Sequence, residues 1–283
     1  ILITSPISGN TIYAWGDNTT GQIPNSTFIN RSTPTRVSIQ KSWSNIKAGL
    51  SHNLALDSEG LLWSWGNNVY GQLGNGDYWN QKLSPGLISL TGSYSWNSIG
   101  IGDSHIVAVR GDGTLWGWGT NTSGQLGDGT TLNRLSSPVQ IGTSSWSKVA
   151  AGTSFSLGIK IDGTLWGWGS GTSGQTGVGN TNNLSSPVQL GVYTTTPYSW
   201  SSIASGASHI VAIRNDGTLW AWGYNPYGQL GDGTVYNYAI PKQIGTSSWS
   251  QVSSGASHIV AIRTDGALFT WGYNGGSGQL GDN

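Results

Sequence analysis

A Trp-Gly pair recurs along this chain at Trp15, Trp65, Trp118, Trp168, Trp222 and Trp271, in steps of 50, 53, 50, 54 and 49 residues. Such a period constrains the fold more than length does. Each copy must fold as one supersecondary unit and bury its apolar faces against its neighbours. Three further markers keep the same phase. Gly49, Gly102, Gly152, Gly206 and Gly255 each open a G-x-S-[HF] block, and a W-[SN] pair recurs at Trp43, Trp96, Trp146, Trp200 and Trp249. Pro34, Pro85, Pro138, Pro187 and Pro241 each precede Val37, Ile88, Ile141, Leu190 or Ile244 by three residues.

Each unit reads as four short strands. The first is the apolar run of the type His209–Ile213, followed by Asp-Gly at 112–113, 162–163, 216–217 and 265–266, a pair suited to tight hairpins with two positive φ angles. The second is L-W-x-W-G, as in Leu115–Gly119, where a period of two puts both Trp residues on one face. A G-Q-L-G-[DN]-G loop leads to a Pro-Val-Gln-Ile strand, and the fourth strand starts at the W-[SN] Trp. No window carries a helical apolar period, so almost no helix is expected. Four-stranded units of this size bury both faces when arranged radially, which predicts an all-β propeller of six or seven blades when closed. About six units are counted in a single domain over 1–283, at roughly 1–48, 49–101, 102–151, 152–205, 206–254 and an incomplete 255–283.

The motifs G-x-S-H-x-x-A-[LIV], D-G-x-L-W-x-W-G and N-x-x-G-Q-L-G-[DN]-G resemble the regulator of chromosome condensation repeat over essentially the whole chain. The resemblance implies a β-propeller, commonly seven-bladed, serving as a platform for protein partners. Fold does not carry function with it. The charged surfaces that such a resemblance would require for exchange activity have no counterpart in a chain with only 8% charged residues and a net charge of zero.

That charge poverty also excludes the basic patch that nucleic acid binding needs. Cys and Met are both absent, which excludes disulfides, Cys-based zinc sites and thiol nucleophiles. With abundant Gly, Ser, Thr and Asn, a sulfur-free chain is expected at an extracellular or cell-surface location. No apolar stretch is long enough to insert in a membrane. The chain lacks an initiator Met and stops within a Gly-rich loop. It is read as a piece of a longer or processed precursor, whose open half-unit could serve assembly with copies of itself.

Catalytic, cofactor and metal residues are not expected. His52, His105, His209 and His258 share one repeat position with Phe155, which makes it a packing position. Asp128 and Asp232 read as turn residues rather than calcium ligands, because Asn75 and Val178 take the same place. Arg110, Arg214, Arg263 and Lys160, two residues before the turn Asp, read as local charge pairs on exposed hairpins. Of 16 Trp, only Trp79 lies off the frame. With Phe28, Tyr78, Asn133, Tyr236 and Tyr238 in equivalent loops, it forms the candidate partner-binding set, since Trp and Tyr bury much area at low entropic cost. Tyr193–Tyr198 is a weaker candidate. Aromatics beside amides also suit glycans, so a lectin-like propeller is the alternative. Candidate glycosylation sites are Asn18, Asn25, Asn30, Asn121 and Asn183.

Overall fold

A computed structural model describes residues 2–5 (backbone), 11–37, 41–89, 95–191, 199–276 and 278–281. The candidate Tyr193–Tyr198 lies wholly outside these ranges. No helix occurs among the described residues. The strands are antiparallel and pair in chain order. The first sheet holds β1 (Leu2–Ser5), β2 (Thr11–Gly16) and β3 (Arg31–Arg36). The second holds β4 (Trp43–Ala48), β5 (His52–Asp57), β6 (Leu62–Gly66) and β7 (Lys82–Leu87). The third holds β8 (Trp96–Ile101), β9 (His105–Arg110), β10 (Leu115–Gly119) and β11 (Arg134–Gln140). The fourth holds β12 (Trp146–Ala151), β13 (Phe155–Lys160), β14 (Leu165–Gly169) and β15 (Leu184–Gln189). Next come β16 (Trp200–Ser205), β17 (His209–Arg214) and β18 (Thr218–Gly223). The first part of β19 (Tyr238–Ser254) pairs with β18 and its second part with β20 (His258–Arg263), which in turn pairs with β21 (Leu268–Gly272).

The sheets are phased one strand away from the sequence units. Each Trp strand, placed last in its unit, hydrogen-bonds to the first strand of the following unit, as Trp96 opposes Arg110. The cause is local: only the three-residue G-x-S turn separates the two, so they close as a hairpin. A bulge follows each of these Trp residues. The bulged Ser donates its hydroxyl to the facing strand, as Ser147 Oγ does to Ile159 O at 3.0 Å and Ser201 Oγ to Ile213 O at 3.0 Å. That explains the W-S pair.

The Asp-Gly turns also differ from the expected form. Gly113, Gly163 and Gly217 have positive φ while their Asp neighbours do not. The loop is therefore wider than a two-residue turn, with only its Gly in the left-handed region. Each Asp instead accepts from the Thr two residues on, and that Thr oxygen accepts from a Trp. Asp112 Oδ1 takes Thr114 Oγ1 at 2.6 Å, and Thr114 Oγ1 takes Trp116 Nε1 at 2.8 Å. The same relay joins Asp162, Thr164 and Trp166, and Asp216, Thr218 and Trp220.

Two compact units are present. One comprises Ile1–Thr122 with Leu132–Thr143, the other Ser123–Thr131 with Ser144–Asn283. Inside each, the cores lie between successive sheets. Leu56, Leu62 and Ile88 pack with Trp96, Ile106 and Trp118 in the first unit. In the second, Leu157, Leu165 and Leu190 pack with Trp200, Ile210 and Trp222. Every Trp of the W-G pairs after the first donates to the main-chain carbonyl of a Gln about one repeat earlier. Trp65 reaches Gln22 at 3.0 Å, Trp118 reaches Gln72 and Trp168 reaches Gln125 at 2.9 Å. Trp222 reaches Gln175 and Trp271 reaches Gln229, both at 3.1 Å. The Gln side chain meanwhile folds back on its own loop: Gln125 Oε1 accepts Ser123 N at 2.8 Å.

In four of the five pairs the residue two after that Gln is a Gly lying on the same indole, Pro24 taking the place after Gln22. A Cβ at Gly127 would stand 2.8 Å from Trp168 Nε1, on a backbone at φ +82°. Gly129 has the same φ, but a Cβ there would meet only Ser186 Oγ, at 3.8 Å. Gly129→Ala should therefore cost about 1–2 kcal/mol, the left-handed penalty alone. Gly127→Ala should cost a further ~1–3 kcal/mol for the steric conflict. Urea midpoints of the two variants measure the difference; equal midpoints would contradict the lock.

Candidate functional site

The loop between each L-W-x-W-G strand and its Pro strand is held by amide side chains. Asn18, Asn68, Asn121 and Asn225, three residues after their W-G Trp, are wholly buried. Asn68 Oδ1 accepts Leu73 N at 3.0 Å while its Nδ2 donates to Asp77 O at 2.9 Å. Asn18 and Asn225 repeat the pattern on Ile23 and Thr27, and on Leu230 and Thr234. A second Asn stands fifteen residues after the Trp in five units: Asn30, Asn80, Asn133, Asn183 and Asn237. Four of these latch the start of the loop. Asn30 accepts from Asn18 N at 2.8 Å, Asn133 from Asn121 N at 2.7 Å, Asn183 from Gly171 N at 3.2 Å, and Asn237 from Asn225 N at 2.8 Å.

These contacts redistribute the sequence candidates. Asn133 is exposed, but its amide oxygen belongs to the frame. Tyr238 opens β19 half-buried, packed in the core, with its hydroxyl accepting Lys242 Nζ at 2.8 Å. All five sequon asparagines occupy frame positions as well. Asn18 and Asn121 are buried with their Nδ2 engaged, so a glycan there is incompatible with the folded loop. Asn25 is half-buried and accepts Thr27 N and Oγ1, leaving Asn30 and Asn183 as the exposed acceptors.

What the frame leaves open is one dipeptide per loop, at the two positions just before this second Asn. It reads Phe28-Ile29, Tyr78-Trp79, Thr131-Leu132, Thr181-Asn182 and Val235-Tyr236. All ten residues are exposed, and Phe28, Ile29, Tyr78, Trp79, Leu132, Val235 and Tyr236 are exposed large hydrophobics. Trp79 is 63% exposed and Tyr236 71%. Trp79 also holds φ at +75°, a region costly for a bulky side chain, while its N–H donates to Asn68 O at 3.0 Å. Its ring lies 6.3 Å from that of Tyr78. Below them Asp77 takes Lys82 Nζ at 3.2 Å and both its oxygens accept Asn80 Nδ2.

Sequence reading missed a second aromatic group. Tyr70 and Tyr227 occupy the place of Thr20, Ser123 and Ser173 just before G-Q, and both are about half exposed. Tyr227 packs against Tyr273 with tilted rings 4.7 Å apart and meets Tyr224 at 6.5 Å. The substitution of Tyr for Ser or Thr at a frame position was the available signal.

The cations before the turn Asp form the expected local charge pair at Arg110, with Asp112 at 3.5 Å, and at Arg263, but not all of them are exposed. Arg110 and Arg214 are buried, the latter's guanidinium 3.5 Å from the Trp220 ring centre. Arg110 lies 5.0 Å from Trp116 and Lys160 lies 3.6 Å from Trp166. The first Trp of L-W-x-W offers each cation a π face, which draws it down onto the sheet. Only Arg263, on Asp265 at 2.6 Å, keeps the exposed form. Asp128 and Asp232 hold Thr130 and Thr234, and Asp232 also binds Lys242 at 2.7 Å, which is turn chemistry.

Five regulator of chromosome condensation (RCC1) repeats match residues 10–56, 59–109, 112–159, 162–213 and 216–262. Together with the four-stranded antiparallel sheets, they make this a β-propeller built of blades. The chain belongs to the RCC1 repeat family. It is 32% identical over 240 residues to the ultraviolet-B receptor UVR8 of Arabidopsis thaliana, covering 84% of this chain and 54% of that protein. Against the human E3 ubiquitin-protein ligase HERC2 it is 29% identical over 243 residues, 82% of this chain and 5% of the ligase. The chain thus spans about half the length of the first of these relatives, and a small part of the second. Human WBSCR16 superposes with a TM-score of 0.82 at 24% identity, over 93% of this chain and 69% of that one. Yeast RCC1 (Prp20), solved bound to Kap60, gives 0.82 at 20%, over 95% and 66%. Both structures show the fold.

The histidine position is a packing position, as Phe155 indicates. His52, His105 and His209 are wholly buried, and His209 Nε2 shares a hydrogen bond with Ser254 Oγ at 2.9 Å. Burial lowers His52 to about 3, with His105 adding repulsion. Burial likewise lowers His209 to about 4, with His258 adding. A folded-state value below that of the unfolded chain means that the unfolded chain binds more protons between the two. The stability is then present above pH ~6.5 and lost as pH falls toward the folded value. Between pH 7 and 5 each group should remove ~2 kcal/mol. His52→Phe should fold and lose about 2 kcal/mol less than the parent over that interval, read from urea unfolding at each pH. An unchanged pH slope would show that His52 is solvated.

Proposed function

We propose that the chain is a non-enzymatic protein-interaction module, a single propeller domain whose partner seats on the exposed loop dipeptides. The observation that carries this reading is Trp79, an exposed indole held at positive φ beside Tyr78 by a frame that does not itself use the ring. Backbone strain of ~1–3 kcal/mol is retained where it has a use, and aromatic anchors dominate interface energetics. Family membership supports an interaction role, and yeast RCC1 was solved in complex with Kap60. The paucity of charge argues against nucleic acid as partner. No helix among the described residues is long and apolar enough to cross a membrane. We place the module in an extracellular or cell-surface setting on the strength of its sulfur-free composition. Glycan binding is the second reading, favoured by the Asp77–Asn80 pair beneath the Tyr78 and Trp79 rings.

Trp79→Ala should leave stability within about 0.5 kcal/mol, because the side chain is exposed. Loss of an aromatic anchor should raise the Kd of a protein partner by about tenfold or more. The partner is first isolated on the immobilised chain and then titrated against parent, Trp79→Ala and Tyr236→Ala. A partner whose affinity neither variant changes would move the interface off these loops. Saturable binding on a glycan array, lost in Trp79→Ala, would favour the second reading.

A further inference from the structure

The five loops that carry a second Asn also carry an earlier variable dipeptide, four and five residues after the W-G Trp and just before Gly-Gln. In three of them it is small and hydroxylated: Thr19-Thr20, Thr122-Ser123 and Thr172-Ser173. In the other two it is Val69-Tyr70 and Pro226-Tyr227. These are the same two loops whose later dipeptide carries Trp or Tyr, Tyr78-Trp79 and Val235-Tyr236. One buried Asn brings the two dipeptides of each loop together. Asn68 O accepts Trp79 N at 3.0 Å, and Asn68 Nδ2 donates to Asp77 O at 2.9 Å. Asn225 Nδ2 donates to Thr234 O at 3.0 Å, and its N–H to Asn237 Oδ1 at 2.8 Å. Gln72 and Gln229 fix the earlier dipeptide, their Oε1 atoms accepting Tyr70 N and Tyr227 N at 2.9 Å.

Each loop therefore displays a preformed aromatic patch. Tyr70, Tyr78, Trp79, Tyr227 and Tyr236 are all about half exposed or more, and Tyr224 adds a ring 6.5 Å from Tyr227. The hydroxyl or indole N–H of those five exposed rings makes no hydrogen bond among the described residues. Each loop is also neutral. Residues 67–82 hold one acid and one base, Asp77 and Lys82, paired at 3.2 Å. Residues 224–242 hold Asp232 and Lys242, paired at 2.7 Å. Asp77 also takes Asn80, and Asp232 takes Thr234, so both carboxylates are engaged within their own loops. A ligand that suits this surface is apolar, uncharged and supplied with free acceptors. A proline-rich segment in the polyproline II form has those properties: flat ring faces to pack on Tyr and Trp, and carbonyls without partners of their own. A sugar would bring hydroxyl donors to carboxylates that are already occupied. We propose that loops 67–82 and 224–242 are two like docking sites for uncharged, proline-rich segments of a partner protein. This rests on the interaction role proposed above and names the chemistry of the partner.

The test titrates the full chain with the synthetic peptide acetyl-Pro-Pro-Leu-Pro-Pro-Leu-Pro-amide by isothermal calorimetry. Two sites per chain are expected, with amide exchange slowed at 67–82 and 224–242. The same peptide with Gly in place of every Pro should bind about tenfold more weakly or worse. Tyr70→Ala with Trp79→Ala should reduce the stoichiometry to one, and so should Tyr227→Ala with Tyr236→Ala. All four together should abolish binding while the melting temperature stays within about 2 °C of the parent, because these side chains are exposed. Absence of saturable binding at millimolar peptide would overturn the proposal, as would equal affinity for the Gly peptide or a stoichiometry that the variants leave unchanged. Saturable binding of cellohexaose in place of the peptide would overturn it in favour of sugars. A partner weakened by Trp79→Ala but lacking any proline-rich segment would overturn it too, and would leave the interaction role standing.

Discussion

The hydrogen bond from the W-G indole to a Gln carbonyl one repeat away is the interaction on which the rest of each unit depends. It fixes several sequence choices together. The acceptor must be main chain, so the Gln side chain is free to close its own loop on the residue two positions before it. The indole must lie flat under that loop, so the Gly after Gln-Leu admits no Cβ. The buried Trp in turn packs against the Trp of its own Trp strand, at 6.1 Å for Trp96 and Trp118 and 5.7 Å for Trp146 and Trp168. One lock therefore joins a loop, two strands of a sheet and the preceding repeat. Because an unmet indole N–H would carry a desolvation penalty in these positions, the lock contributes to specificity of register as much as to stability.

Most of the architecture was legible because its signals are periodic and redundant. Trp96, Gly102, Trp118 and Pro138 each recur in phase, and each marks a different strand or turn. The phase of the sheets was not legible. Nothing in a sequence period says whether the Trp strand closes one sheet or opens the next; that is decided by the shortness of the G-x-S turn. The Asp-Gly pair was misread for a related reason. Asp-Gly suits a two-residue turn, but Thr114 gives Asp112 a better partner, and the relay to Trp116 holds the wider loop. Arg110 and Arg214 were assigned to the surface by charge, whereas the neighbouring Trp rings bury them.

The exposure of the loop side chains was half legible. Trp79, Tyr78, Phe28 and Tyr236 stand out because they break the pattern, and all four are exposed. Asn133, Tyr238 and the sequon asparagines keep it, and their hydrogen bonds hold the loop frame. An Asn fifteen residues after five of the six W-G Trp residues is nearly as regular as the Trp itself, and regularity signals a structural job. Its amide oxygen receives the N–H that starts the loop, so the residue just before it is presented outward whatever its identity. Aromatic side chains draw attention in a sequence more readily than amides do. The physical order is the reverse: the amides set the loop and the aromatics are what it displays.

This division explains how the repeat can be rigid and variable at once. Phe-Ile, Tyr-Trp, Thr-Leu, Thr-Asn and Val-Tyr differ in size, shape and polarity, yet occupy equivalent places just before the second Asn of their loops. A side chain there makes few contacts with its own sheet, so its replacement is nearly neutral for folding. Its presentation costs little entropy on binding, because the loop is already ordered by buried Asn side chains and a Gln-closed turn. The histidine position shows the opposite regime. His and Phe are both tolerated there by volume, and the buried imidazole carries a proton-linked cost that the Phe site does not. Sequence freedom in this chain therefore follows the direction of the side chain: outward positions can be re-specified for a partner, and inward ones only within the shape that the Trp–Gln lock leaves.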